Sequence, residues 1–230
     1  MLRTNTEIDV IQQYHITPVS IKSPIDNNIF LNYYNENQYR VTHKNTGPKT
    51  ITLFRETPLI LKDLIKYLKS IFGDFYVTST QIFDVTMPHI IHNDDELDHI
   101  PFLAFCLPLR IFGTSDDIKL VTFDQYYYHG GAKFFNGDNT EREVFFNKTV
   151  TTYDDVSFLS YVGINDKFKQ DYLSHLKDDW LHGLSINTVL DWKIGDVLCF
   201  NCNQLHCSSN FVAKGVTSKQ ALSIFTAKEK

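Results

Sequence analysis

A near-continuous apolar run in the middle of the chain constrains the fold more than any other feature. The run spans residues 101–109, PFLAFCLPL, and an apolar stretch of this length is typical of a strand that is buried on both faces. Residues 75–85 and 118–123 are also rich in strand-forming side chains. From residue 75 onward the sequence therefore predicts a mostly β protein whose central strand is covered on both sides.

Two segments show the spacing of apolar residues that a helix requires. In the first, Thr57 is a suitable N-cap, Pro58 suits the first turn and Gly73 suits the end. The second runs from about residue 166 to residue 182 and ends at Gly183. We predict that both helices support the β core.

The remaining stretches carry weaker patterns. Residues 1 to about 56 show no sustained helical period, so we predict irregular structure with edge strands packed onto the main body. Residues 136–164 predict a loop with short strands, in the manner of a lid or an insertion. No internal repeat or long linker divides the 230 residues. We therefore predict a single domain over residues 1–230, with its core in residues 75–226.

Composition narrows the function classes. Hydrophobic residues make up 43% of the chain, which is enough for a sizeable core. The net charge of −5 gives no basic surface for nucleic acid, so nucleic acid is disfavoured as a partner. No apolar run is long enough to span a bilayer, and the N-terminus lacks the apolar stretch of a signal peptide. We expect a cytoplasmic protein with reduced cysteines; nothing in the sequence indicates its oligomeric state.

A histidine and an aspartate stand two positions apart at His92 and Asp94. In an extended segment, residues at this spacing point to the same face. Two imidazoles and one carboxylate on one face form the facial triad that holds non-haem Fe(II) and leaves coordination positions open. The pair supplies two of these ligands, and His206 is the candidate for the third.

The C-terminal part of the chain has the most informative order of elements. A turn at residues 194–196 leads into a strand at 197–200, and a second turn precedes His206. Lys219 then opens a final strand at residues 219–225. This order, together with the upstream His92 and Asp94, resembles the Fe(II)- and 2-oxoglutarate-dependent oxygenases of the double-stranded β-helix, or jelly-roll, type. The resemblance covers about residues 75–226.

The resemblance implies a fold, a cofactor and a reaction. It implies that His92, Asp94 and His206 bind Fe(II) and act in catalysis, and that Lys219 binds the cosubstrate 2-oxoglutarate. Such an enzyme releases succinate and CO₂ and hydroxylates a substrate, here a small molecule or a protein side chain. Lys214 competes with Lys219 for the cosubstrate role. The chain departs from the family at Ala221, where many members have a hydroxyl side chain.

Two alternatives remain open from the sequence. Cys199, Cys202 and His206 have ligand types that zinc prefers, which would give a zinc-binding structural or interaction module. A cupin-like metal-binding protein or isomerase would share the jelly roll without turning over 2-oxoglutarate, because fold does not fix function. The other histidines are interpreted as structural. In particular, His89 is predicted to face away from His92, because it lies three positions earlier on an extended segment.

Overall fold

The computed structural model describes most of the chain. The described residues are 3–36, 41–45, 49–54, 56–95, 98–128, 132–135, 141–144, 164–181 and 184–229.

Strands dominate the described part of the molecule. They are β1 Val19–Lys22, β2 Val41–Asn45, β3 Lys49–Phe54, β4 Tyr76–Val85, β5 Ile100–Gly113, β6 Lys119–Tyr126, β7 Ala132–Phe135, β8 Glu141–Val144, β9 Ile186–Asp191, β10 Asp196–Asn201, β11 Gln204–Ser208 and β12 Val216–Lys228. The α-helices are α1 Asn5–Gln13, α2 Asn27–Glu36, α3 Lys62–Phe72 and α4 Asp166–Tyr172. Short 3₁₀ turns occupy Leu59–Leu61, Asp178–Leu181 and Val212–Lys214.

The strands form two facing antiparallel sheets and a separate hairpin. The larger sheet has the order β1-β10-β5-β12-β4-β3-β2, and the smaller sheet has the order β11-β6-β9. Strands β7 and β8 pair only with each other among the described strands. An isolated bridge between His92 and His206 adds the segment after β4 to the edge of the smaller sheet. This is a double-stranded β-helix, and the predicted mostly β jelly roll is confirmed.

The central strand β5 is buried on both faces, as the sequence predicts. Phe105 on one face packs in an apolar cluster with Leu64 and Leu68 of α3. Ala104, on the other face, packs with Phe200 in a cluster that lies between the two sheets. Helices therefore cover the outside of the larger sheet, and its inside faces the smaller sheet.

The prediction of irregular structure before residue 56 is wrong for two segments, because α1 and α2 lie there. Helix α1 buries only Ile11, so its apolar period is weak. It is stabilised by a capping box in which Thr4 and Glu7 satisfy each other's backbone N–H groups. Strands do occur there, and β2 is an edge strand as predicted, but β3 lies inside the sheet between β2 and β4, and the other edge is β1, which the prediction did not include.

Both predicted helices exist with different bounds. Gly73 ends α3 as predicted, with φ of 79°, but a 3₁₀ turn at Leu59–Leu61 precedes the helix, so Thr57 is not its N-cap. Helix α4 stops at Tyr172 rather than at 182, and the Tyr172 carbonyl, which has no partner within the helix, accepts a hydrogen bond from the Asn210 N–H at 2.6 Å. The predicted helix end at Gly183 lies outside the described residues, as does most of the predicted loop at 136–164.

Within the described ranges, no helix is both long and apolar enough to cross a membrane.

Candidate metal centre

Backbone pairing places His92 directly beside His206. The N–H of His92 donates to the carbonyl of His206 at 3.0 Å, and the N–H of His206 donates back to His92 at 2.9 Å. The N–H of Asp94 donates to the Cys202 carbonyl at 2.8 Å. The segment that carries His92 and Asp94 is therefore extended and fixed against β11, whose own sequence carries His206.

The three residues predicted as metal ligands converge at one point. Their potential ligand atoms all lie within 4.8 Å of one another. Asp94 Oδ2 is 3.3 Å from His206 Nε2, and Asp94 Oδ1 is 3.8 Å from His92 Nε2. The two imidazole rings are 4.2 Å apart between centroids. Two imidazoles and one carboxylate on one face are the donor set that suits Fe(II).

Hydrogen bonds orient both imidazoles with the same nitrogen toward this point. His92 Nδ1 lies 2.8 Å from the Ile90 carbonyl, and His206 Nδ1 lies 2.9 Å from the Gln204 carbonyl. A carbonyl only accepts, so each Nδ1 carries the proton and donates. Each Nε2 therefore keeps a lone pair for a metal, which is the usual arrangement of metal-binding histidines.

The surroundings favour neutral histidine and ionised aspartate. Burial lowers the pKa of His92 well below 6.5, and the neighbouring His206 and His89 lower it further. Burial by itself would raise the pKa of Asp94, but the two imidazoles and Lys49 outweigh that effect and hold it below 3.8. These are the protonation states in which the side chains bind a cation.

The prediction that His89 faces away from His92 is wrong. His89 Nδ1 lies 3.2 Å from His92 Nε2, and His89 Nε2 lies 2.9 Å from Lys49 Nζ. The prediction assumed an unbroken strand, whereas β4 ends at Val85 and a bend follows before His89. The break in the alternation turns His89 toward the same cavity as His92.

A cavity opens beside these side chains, between the two sheets. His92, Asp94 and His206 contribute to one part of its wall, and most of the remaining wall is apolar. The apolar side chains include Phe83, Val85, Leu120, Trp192, Phe200 and Phe225.

Lys219 reaches the same cavity from β12, in the opposite sheet from His206. The residue is only 8% exposed. Its Nζ donates to Ser208 Oγ at 3.0 Å and lies 4.7 Å and 5.2 Å from the ring centroids of Trp192 and Phe211. Lys214 lies elsewhere, on a 3₁₀ turn, with its Nζ 3.8 Å from Asp117. Of the two lysines, Lys219 is the one that shares a cavity with His206.

The Lys219 ammonium is buried without an acidic partner in the described part of the chain, since no Asp or Glu there lies within ion-pair distance. Burial lowers the pKa of Lys219 from 10.5 to about 8, although the nearby Cys106 and Cys207 thiols oppose this shift. A buried charge is costly unless it is paired. The site therefore favours an anionic ligand beside Lys219.

Ser208 and Trp192 are site residues that the sequence reasoning missed. Ser208 follows His206 by two positions on β11, so the strand period alone puts its hydroxyl on the same face. That signal was available in the sequence. Trp192 follows β9 directly, and its position over Lys219 depends on the packing of the two sheets. Ser208 supplies a hydroxyl at the lysine, whereas Ala221 supplies none.

The cysteines do not assemble into a metal site in the described residues. Cys199, Cys202 and Cys207 are buried free thiols that belong to three different apolar clusters. The side chains that converge there as potential ligands are those of His92, Asp94 and His206. Burial also raises the pKa of each of the three thiols, which disfavours the thiolate that zinc binds. The cysteines and His206 therefore do not form the zinc site that the sequence allows.

No family model and no curated protein sequence matches the chain. The fold matches solved structures at low sequence identity. One is the non-haem α-ketoglutarate-dependent carbocyclase SnoK from nogalamycin biosynthesis, at 11% identity and a TM-score of 0.50, covering 98% of this chain and 84% of that one. Another is HygX from Streptomyces hygroscopicus with nickel and 2-oxoglutarate bound, at 9% identity and a TM-score of 0.50, covering 98% and 87%. These likenesses show that the fold is shared across nearly the whole chain.

Proposed function

We propose that this protein, which has the fold of the 2-oxoglutarate- and Fe(II)-dependent oxygenases, is such an oxygenase and hydroxylates a small molecule or a protein side chain. One observation carries the proposal. A cavity between the two sheets has a convergent pair of histidines and an aspartate in one wall and a buried lysine in the opposite wall. This arrangement matches a ligand that binds a metal at one end and carries a carboxylate at the other.

The residues fit Fe(II) by donor chemistry. His92 and His206 present Nε2 lone pairs because their Nδ1 atoms donate to backbone carbonyls. Asp94 would contribute one carboxylate oxygen. Three ligands on one face leave room for a bidentate 2-oxo acid and for dioxygen, which a closed four-ligand site would not.

The fit to 2-oxoglutarate rests on Lys219. Its ammonium would bind the 5-carboxylate through a charge-assisted hydrogen bond, which is about twice as strong as a neutral one. Ser208 would hold the lysine in place through its 3.0 Å hydrogen bond. A lysine acts here as a point charge, because it lacks the bidentate fork of arginine.

The chain's own residues would bind and orient the metal and 2-oxoglutarate, and they would exclude water. With iron and 2-oxoglutarate bound, the metal supplies oxidative decarboxylation to succinate and CO₂ coupled to oxidation of a second substrate. The apolar walls at Leu120, Phe200 and Phe225 would keep bulk water away from the metal. Hydroxylation is the proposed outcome, and one protein of similar structure, SnoK, is an α-ketoglutarate-dependent carbocyclase instead. The net charge of −5 favours a small molecule or a protein side chain over nucleic acid as substrate.

The decisive experiment is an anaerobic titration of the purified protein with Fe(II) and 2-oxoglutarate. A visible charge-transfer band of the chelated 2-oxo acid is expected, and it should be lost in His206→Ala. Succinate release in air would then establish turnover without knowledge of the second substrate. Metal binding without a band would favour a cupin-like protein, and absence of Fe(II) binding would refute the triad.

A further inference from the structure

A buried ion pair joins the N-terminal segment to the loop that carries Asp94. Arg3 Nη2 donates to both carboxylate oxygens of Asp95, at 2.8 Å and 3.1 Å. The two side chains are 1% and 0% exposed, and the residues are 92 positions apart in the chain. Asp95 directly follows the proposed ligand Asp94.

We propose that Arg3 is a positioning residue of the metal centre and determines which of two adjacent carboxylates faces the histidines. This inference rests on the proposed function, because it presupposes that His92, Asp94 and His206 bind Fe(II). Arg3 touches neither the metal position nor the cavity. It would act through Asp95 and the backbone between Asp95 and Asp94.

The loop carries two carboxylates side by side, and the backbone pairing that fixes Asp94 against Cys202 is reinforced at the next residue by the ion pair of Asp95 with Arg3. Asp94 and Asp95 are chemically identical side chains on neighbouring residues, and a shift of one position would exchange them. In an extended segment, successive side chains point in opposite directions. Holding Asp95 on the side of Arg3 therefore turns Asp94 toward His206, where its Oδ2 lies 3.3 Å from Nε2.

Buried ion pairs are poor general stabilisers, because removing two charges from water costs as much as their attraction returns. Their best-attested use is to specify one arrangement among several that would otherwise compete. The Arg3 guanidinium suits this use, since one nitrogen, Nη2, donates charge-assisted hydrogen bonds to both oxygens of Asp95 and so fixes the position of the carboxylate. The backbone N–H of Asp95 is also fixed, by the Asn93 side chain at 3.0 Å.

Arg3 is itself attached to a rigid element. It precedes Thr4, the N-cap of α1, and Thr4 and Glu7 form the capping box of that helix. Further along α1, Ile11 is fully buried and packs with Ile100 and Tyr128. The helix thus anchors the guanidinium on the body of the protein, and the guanidinium anchors the loop.

The test compares the Fe(II) affinity of the full-length variants Arg3→Met and Asp95→Asn with that of the unmodified protein, by anaerobic calorimetry well below the melting temperature. Arg3→Met keeps the length of the side chain and removes the charge. We expect Kd for Fe(II) to rise about 10- to 100-fold, as for other residues that orient metal ligands. We also expect the charge-transfer band with 2-oxoglutarate to shift or weaken.

Asn27→Ala is the control, because it removes the hydrogen bond from the Asn27 side chain to the Pro108 carbonyl and leaves Arg3, Asp95 and helix α1 intact. It should lower the melting temperature and leave Kd for Fe(II) unchanged. Arg3→Lys, which keeps the charge and loses the planar guanidinium, provides an intermediate case and keeps the test available if Arg3→Met does not fold. Variants of Arg3 that melt earlier yet bind Fe(II) with the unmodified Kd would overturn the inference. Absence of Fe(II) binding by the unmodified protein would instead overturn the proposed function.

Discussion

The two ends of the cavity differ in how their charged groups are held. At the metal end, His92, Asp94 and His206 are tied to backbone groups and to one another, and their polar atoms point at a common position. At the other end, Lys219 is held by one serine hydroxyl and two aromatic rings. One end is built to receive a cation from three directions. The other places the Lys219 ammonium among apolar side chains with no acidic partner in the described part of the chain, so that an incoming anion would pair it.

The difference predicts that loss of a metal ligand has the largest effect of any single change. His206→Ala and Asp94→Ala should each reduce turnover by more than about 100-fold, because even residues that only orient ligands cost 10- to 100-fold in affinity. Succinate release and anaerobic Fe(II) titration measure the two losses. Cys202→Ser is the control and should retain both metal and turnover. Release of metal by Cys202→Ser, with retention in Asp94→Ala, would restore the zinc interpretation.

Changes at the lysine end should leave the metal in place. Lys219→Met removes the ammonium and keeps the apolar stem, so Kd for 2-oxoglutarate should rise about 10- to 100-fold, as expected for a hydrogen bond to a charged group. Kd for Fe(II) should not change. Lys214→Met, measured in the same titration, should bind 2-oxoglutarate normally, since Lys214 lies beside Asp117 outside the cavity. The reverse result for the two lysines would move the cosubstrate role to Lys214.

The same Lys219→Met variant should be more stable than the unmodified protein when no ligand is present. A pKa lowered from 10.5 to about 8 means that the folded protein holds the protonated lysine at a cost. At pH 7 that cost is about 3 kcal/mol, at roughly 1.4 kcal/mol per pH unit. Chemical denaturation of the two proteins without ligand would show it. A less stable variant would mean that Lys219 serves the fold rather than a ligand.

Sequence and structure agree best where local patterns determine position. The turn before β10, the strand period of β11 and the apolar run of β5 are short-range signals, and they place His206 and the central strand correctly. They also bring Lys219 into the same cavity as His206. These elements belong to the sheets that face each other across the cavity, and each pairs with a strand that is distant in sequence: β10 and β12 with β5, and β11 with β6.

The disagreements arise where distant contacts decide the structure. Helix α4 ends at Tyr172, whose carbonyl accepts a hydrogen bond from Asn210, far along the chain. His89 is an exception, because the bend after Val85 that turns it toward the cavity lies in its own segment. Arg3 meets Asp95 only in the folded molecule. No spacing in the sequence encodes these contacts, so a pattern analysis does not find them.

The pH dependence of 2-oxoglutarate affinity sharpens the contrast between the two ends. In the protein without ligand, Lys219 loses its proton as the pH rises through about 8. A bound carboxylate raises the pKa of Lys219. Affinity should therefore fall above that pH by up to about tenfold per pH unit. Calorimetry with Mn(II) in place of iron, from about pH 6.5 to about 9.5, measures this. Lys219→Arg should remove this step from the profile, because its guanidinium stays charged throughout the range. If 2-oxoglutarate affinity falls over the same pH range in Lys219→Arg, the titrating group is not Lys219.

The smallest effect is expected from the hydroxyl that holds the lysine. Ser208→Ala removes the 3.0 Å acceptor of Lys219 Nζ, while the two aromatic rings remain. A single hydrogen bond contributes about 1 kcal/mol, so Kd for 2-oxoglutarate should rise about fivefold. Ser223→Ala is the matched control in the same cavity, since Ser223 pairs with Cys106 instead, and should leave Kd unchanged. A larger effect of Ser223→Ala would place the carboxylate nearer Ser223. A loss in Ser208→Ala as large as in Lys219→Met would mean that the hydroxyl, and not the aromatic rings, is what keeps the ammonium in the cavity.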